Sequence, residues 1–114
     1  MDFEIETTLD IGSDEFYRAA RYQTPLSVLL INSKDKNIFD IIETILRPTD
    51  IIQQLNSELI VVFLSHTTHE DATLFINNMK EQVDFTYTAD GYKGFRNEFI
   101  ENLFKENEKL SKDS

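Results

Sequence analysis

Residues 46–64 read LRPTDIIQQLNSELIVVFL, and their pattern changes character halfway along. Thr49 to Leu55 is rich in β-formers and stops at Asn56 and Ser57, two residues that suit a turn. Glu58 to Leu64 then runs apolar on both alternating faces, as in a strand covered on both sides. A hairpin follows, with its second strand deeper in the molecule than its first.

Working outward, Pro25 to Asn32 (PLSVLLIN) has the same two-faced apolar character and is read as a central strand. Between it and the hairpin, Ile38, Ile42, Ile45 and Leu46 recur at helical spacing, and Pro48 opposes continuation beyond Arg47. After the hairpin, Thr67 or Thr68 can cap a helix whose apolar stripe is Ala72, Phe75, Ile76 and Met79. In VDFTYT, Phe85 and Tyr87 alternate with polar neighbours, which predicts a half-exposed edge strand. The order is βαββαβ, an α/β sequence of the α+β kind. It predicts a ferredoxin-like core over about residues 25–88, with one four-stranded antiparallel sheet and the first and third strands central. Flanking it, a strand is expected at Phe3 to Leu9, a helix over Asp14 to Tyr22, and a C-terminal helix over about 94–110. In that last helix Phe95, Phe99 and Leu103 repeat every four residues. With 114 residues and no linker or repeat, the expectation is a single domain over 1–114.

The formal net charge is -10, and six acids with no base lie between Asp2 and Glu15. Such a field repels a nucleic-acid polymer or an anionic membrane, so neither is expected as a partner. The acidic start reads as a solvated segment, with an acidic docking strip for a basic partner as the alternative. Cysteine is absent, which removes disulfides and thiolate chemistry, and no signal-peptide pattern or membrane-length apolar run occurs. A cytoplasmic location is expected.

RAARYQTPLSVLLIN, residues 18–32, resembles the approach to the first core strand in the GGDEF, or diguanylate cyclase, family. LRPTDIIQQLNSELIVVFL is similar, without gaps, to that family's Arg-x-x-Asp, five-residue spacer, GGDEF hairpin and following strand. The two stretches cover about half the chain, and the resemblance implies a nucleotide-cyclase-like fold with a ferredoxin-like centre. In this register Asn56, Ser57, Glu58, Leu59 and Ile60 stand where the family has Gly, Gly, Asp or Glu, Glu and Phe. Glu58 alone keeps the expected chemistry. Side chains on Asn56 and Ser57 would crowd a triphosphate, and Leu59 supplies no carboxylate. Asn32 replaces the family's metal-binding aspartate with a weaker ligand for a hard cation. Only fifteen positions separate Asn32 from Arg47, which implies that the guanine-reading loop is deleted. The resemblance therefore implies a degenerate domain with no catalytic residues, no metal and no cofactor, because this phosphoryl transfer depends on metal ions.

Arg47 and Asp50 retain the spacing of the family's product-binding site, which implies a binding site for cyclic di-GMP. Arginine would read the guanine O6 and N7 edge, and the carboxylate would accept from N1 and N2. Alternatively, Arg47 caps the preceding helix and Asp50 opens a strand. His66 and His69, three apart beside Glu70 and Asp71, are read as ordinary loop and helix-start residues in preference to zinc ligands. Gly12, Gly91 and Gly94 are too dispersed to form a phosphate loop.

The leading functional expectation is a noncatalytic signalling or regulatory module that binds an unidentified protein partner. A cyclic di-GMP sensor is the first alternative. A structural or assembly protein is the second, with weak homodimerisation or docking through the edge near Phe85 and Tyr87, or through Phe99, Ile100, Leu103 and Phe104.

Overall fold

The computed structural model describes residues 2–113. Its elements are α1 (Phe3–Ile11), α2 (Ser13–Tyr22), β1 (Leu26–Asn32), α3 (Ile38–Ile45), β2 (Ile51–Asn56), β3 (Leu59–Ser65), α4 (His69–Lys80), β4 (Thr86–Gly91) and α5 (Arg96–Asp113). The four strands form one antiparallel sheet in the order β2-β3-β1-β4. This is the expected ferredoxin-like arrangement, with the two doubly apolar strands in the centre.

Helices cover both faces of the sheet. On one, Leu29, Ile31, Ile60, Val62 and Leu64 pack against Ile38 and Ile42 of α3 and against Ala72, Ile76 and Met79 of α4. On the other, Leu26, Val28, Leu30, Val61 and Phe63 meet Phe16 and Ala19 of α2 and Ile100, Leu103 and Phe104 of α5. The continuous apolar runs of β1 and β3 follow from this sandwich, since neither face of either strand meets water. Phe16 anchors an aromatic cluster, with ring centroids 5.5 Å from Phe63, 4.9 Å from Tyr92 and 6.3 Å from Phe99. Each such pair adds about 0.5–1.5 kcal/mol beyond the area it buries.

The N-terminal segment departs from expectation, because Phe3 to Leu9 is helical and not a strand. Its period-two apolar pattern is coincidental. Asp2 caps the helix by accepting from the Glu4 N–H at 2.9 Å, and Glu4 and Glu6 suit the positive end of the helix dipole. Ile5, Thr8 and Leu9 share the inward face, leaving Phe3 78 % exposed. At the α1–α2 corner, Gly12 lies directly against Phe63. A Cβ there would sit inside contact distance of the Phe63 ring and 3.0 Å from Phe16 Cε2.

Phe85 also differs from its expected place. Strand β4 begins one residue later, and Phe85 is buried in the core beside α4, with the Lys80 ammonium 5.2 Å from its ring centroid. The stripe of α5 is likewise absorbed: Ile100, Leu103 and Phe104 are buried and Phe99 is partly so. No helix among the described residues is long and apolar enough to cross a membrane.

Candidate functional site

The β2–β3 hairpin spans the sheet, so its two ends set two separate sites. At the tip, Asn56 pairs with Leu59 across a two-residue Ser57–Glu58 turn, and a bulge interrupts the register between Gln54 and Asn56. Neither turn residue has positive φ, so the turn does not use the left-handed conformations a glycine pair permits. Asn56 organises it: its side-chain Oδ1 accepts from the Glu58 N–H at 2.9 Å, and its Nδ2 donates to Glu4 of α1 at 2.8 Å. The tip is thus tied to the protein's own first helix.

Beside the tip lies an open cleft of about 430 Å³, lined by Asn32, Ser33, Lys34, Asp35, Glu58, Asp84, Phe85 and Thr86. Asn32 reaches it from the end of β1, and its amide is engaged elsewhere. Asn32 Nδ2 donates to Asn107 Oδ1 at 2.6 Å, and Asn107 Nδ2 donates back to Asn32 Oδ1 at 3.3 Å. Thr88 Oγ1 adds a donor to Asn107 Oδ1 at 3.4 Å. The loop from β1 to α3 is only Ser33 to Asn37 and closes on itself, with Ser33 Oγ accepting from the Asp35 N–H and Asp35 Oδ1 from the Asn37 N–H. Three carboxylates and one ammonium line the cleft, an unfavourable field for a triphosphate without bound cations. Among the described residues, no group of three or more His, Asp or Glu is placed to hold a metal ion.

At the opposite end, Arg47 and Asp50 are brought together, and against each other. Arg47 Nε and Nη2 donate to the two Asp50 oxygens at 3.2 and 3.1 Å, and the Arg47 backbone N–H donates at 3.0 Å. The Ser65 N–H adds a further bond to Asp50 Oδ1 at 3.2 Å. Arg47 Nη2 also donates to the Ser65 carbonyl and, at 2.7 Å, to Thr67 Oγ1. The Asp50 side chain is only 2 % exposed, whereas that of Arg47 is 52 % exposed. The helix-cap reading of Arg47 does not hold, because its bonds run to Asp50, Ser65 and Thr67. A cavity of about 310 Å³ adjoins the pair, lined also by His66, Asp71 and Phe75. His66 and His69 are both exposed, and Thr68 is the cap of α4, accepting from the Asp71 N–H.

Sequence reasoning missed Asn107, which is 6 % exposed and holds Asn32 in place. The signal was present: Ile100, Leu103, Phe104 and Asn107 fall at i, i+3, i+4 and i+7. The helix expected over about 94–110 begins at Arg96 and runs on to Asp113.

No protein-family profile matches the chain, and no curated protein does. Among solved structures, the chain is similar to one described as a DGC protein from Thermotoga maritima. The TM-score is 0.60 and the identity 18 %, covering 75 % of this chain and 76 % of that one. The two chains therefore share a fold at low identity.

Proposed function

We propose that the protein is a noncatalytic regulatory module that acts by binding another protein on a GGDEF-like scaffold. One observation carries this reading. Asn32, which stands where the resembling family has its metal-binding aspartate, has its amide committed to a reciprocal pair with buried Asn107. A neutral amide held this way offers a divalent cation little, and Leu59 adds no carboxylate beside it. Without cation neutralisation, a nucleoside triphosphate would face Asp35, Glu58 and Asp84 with only Lys34 to offset them. A cytoplasmic location belongs to the same proposal.

The test is incubation of purified protein with guanosine triphosphate and magnesium or manganese. The expected outcome is no cyclic di-GMP above a no-protein blank. Production that disappears on Glu58→Ala would return the chain to the enzymes.

The half-exposed guanidinium of Arg47 beside a cavity favours a second reading, a cyclic di-GMP sensor. Against it, the Asp50 carboxylate is buried and already accepts from Arg47 and Ser65, so reading guanine would require breaking those bonds. Calorimetry on the wild type and Arg47→Ala decides it. Heat that Arg47→Ala abolishes would establish the sensor.

A further inference from the structure

We infer that the groove between α1 and α5 is a docking site for a basic amphipathic helix of a partner protein. This rests on the reading of the chain as an interaction module and specifies where the partner sits and what its chemistry is.

The groove has a volume of about 510 Å³, within the range that admits large side chains. Half-buried Ile5 of α1 supplies most of its apolar surface and the small exposed edge of Phe104 of α5 its floor, while Asp2, Glu101, Glu108 and Lys105 form the charged border. Glu101, Phe104, Lys105 and Glu108 follow the i, i+3, i+4, i+7 spacing of one helix face, so the groove runs along α5 for about two turns, roughly 10 Å. A strip of that length between two helices suits a third helix presenting apolar residues one turn apart.

Charge selects the partner's sign. Three carboxylates oppose one ammonium at the border, and none of the three takes part in an ion pair among the described residues. Beyond the border, α1 carries Glu4, Glu6 and Asp10 with no base, whereas on α5 Glu98 and Glu106 are offset by Arg96 and Lys109; the chain's net charge is -10. A second copy of this chain brings the same negative charge, and a phosphate polymer or anionic bilayer is repelled in the same way. A lysine- or arginine-rich helix gains attraction at the border while its apolar stripe covers Ile5 and Phe104.

The experiment uses the full isotope-labelled chain and a synthetic peptide of leucine and lysine with leucines at helical spacing. Its controls are a peptide of the same composition with leucine and lysine alternating, and a leucine–glutamate helix. The helical basic peptide is expected to shift amide resonances of Ile5, Glu101, Phe104, Lys105 and Glu108. Both controls should bind about tenfold more weakly or worse. The double reversal Glu101→Lys, Glu108→Lys, both on the surface of α5, should weaken binding about tenfold, and Ile5→Ala should weaken it with the spectrum otherwise unchanged. Shifts scattered over the acidic surface, equal binding of the alternating peptide, or insensitivity to the double reversal would overturn the assignment. So would a dimer by light scattering whose interface is this groove, since the occupant would then be a second copy. Cyclase turnover in the separate nucleotide assay would overturn the noncatalytic reading and leave this binding result standing.

Discussion

The two ends of the β2–β3 hairpin share a sheet and differ in how they treat charge. At the Arg47 end, Arg47 and Asp50 are bonded to each other, and they also bond Ser65 and Thr67. At the tip end, where of the hairpin positions only Glu58 matches the resembling family, the contacts run through the neutral amides of Asn32, Asn56 and Asn107. The lesson is that a motif's letters and its chemistry separate: Arg47 and Asp50 match a ligand-binding spacing yet are bonded to each other, while the tip is held by amide contacts that no motif spacing describes.

The largest effect is expected at Asp50. Replacing it with alanine leaves the Ser65 N–H without its acceptor and removes every carboxylate contact of Arg47, so urea denaturation should show a loss of about 2–4 kcal/mol. A loss below about 1 kcal/mol would make that end a site kept for a ligand and break the comparison. Next comes Gly12→Ala, a steric control between the two ends, because Phe63 is fully buried and cannot yield to an added methyl. Overpacking of this kind costs about 1–3 kcal/mol, read from the thermal midpoint.

At the tip, Asn107→Leu should cost about 1–2 kcal/mol by leaving the Asn32 amide unpaired. The double substitution Asn32→Leu, Asn107→Leu should recover part of this, since removing both partners is gentler than removing one. No recovery would assign the cost to packing of α5 and not to the amide pair. The smallest effect belongs to Glu4→Ala, whose bond to Asn56 is exposed: a change within about 0.5 kcal/mol is expected. A larger change would mean that α1 holds the tip more firmly than one exposed bond can.

Much of the fold was legible because burial writes itself into periodicity. Val28 to Ile31 and Ile60 to Phe63 are apolar at every position because they lie between helices, and that alone places β1 and β3 in the centre. Phe3 to Leu9 was misread because Phe3, Ile5 and Leu9 satisfy a period of two, while Ile5, Thr8 and Leu9 also satisfy a helix. The Asp2 cap settles it in favour of the helix. The candidate residues came from the family resemblance, but their partners could not, since Arg47 to Ser65, Asn32 to Asn107 and Gly12 to Phe63 are contacts between distant positions. No local pattern encodes them.

The central proposal is that the cleft at Asn32 and Glu58 does not hold catalytic cations, and paramagnetic line broadening by manganese tests it residue by residue. At substoichiometric manganese, the account predicts that the amides of Asn32 to Asp35 and Ser57 to Leu59 broaden no more than those of the acidic stretches of α1 and α5. Selective loss of the Asn32, Ser33 and Glu58 resonances ahead of all others, reversed by magnesium, would contradict it.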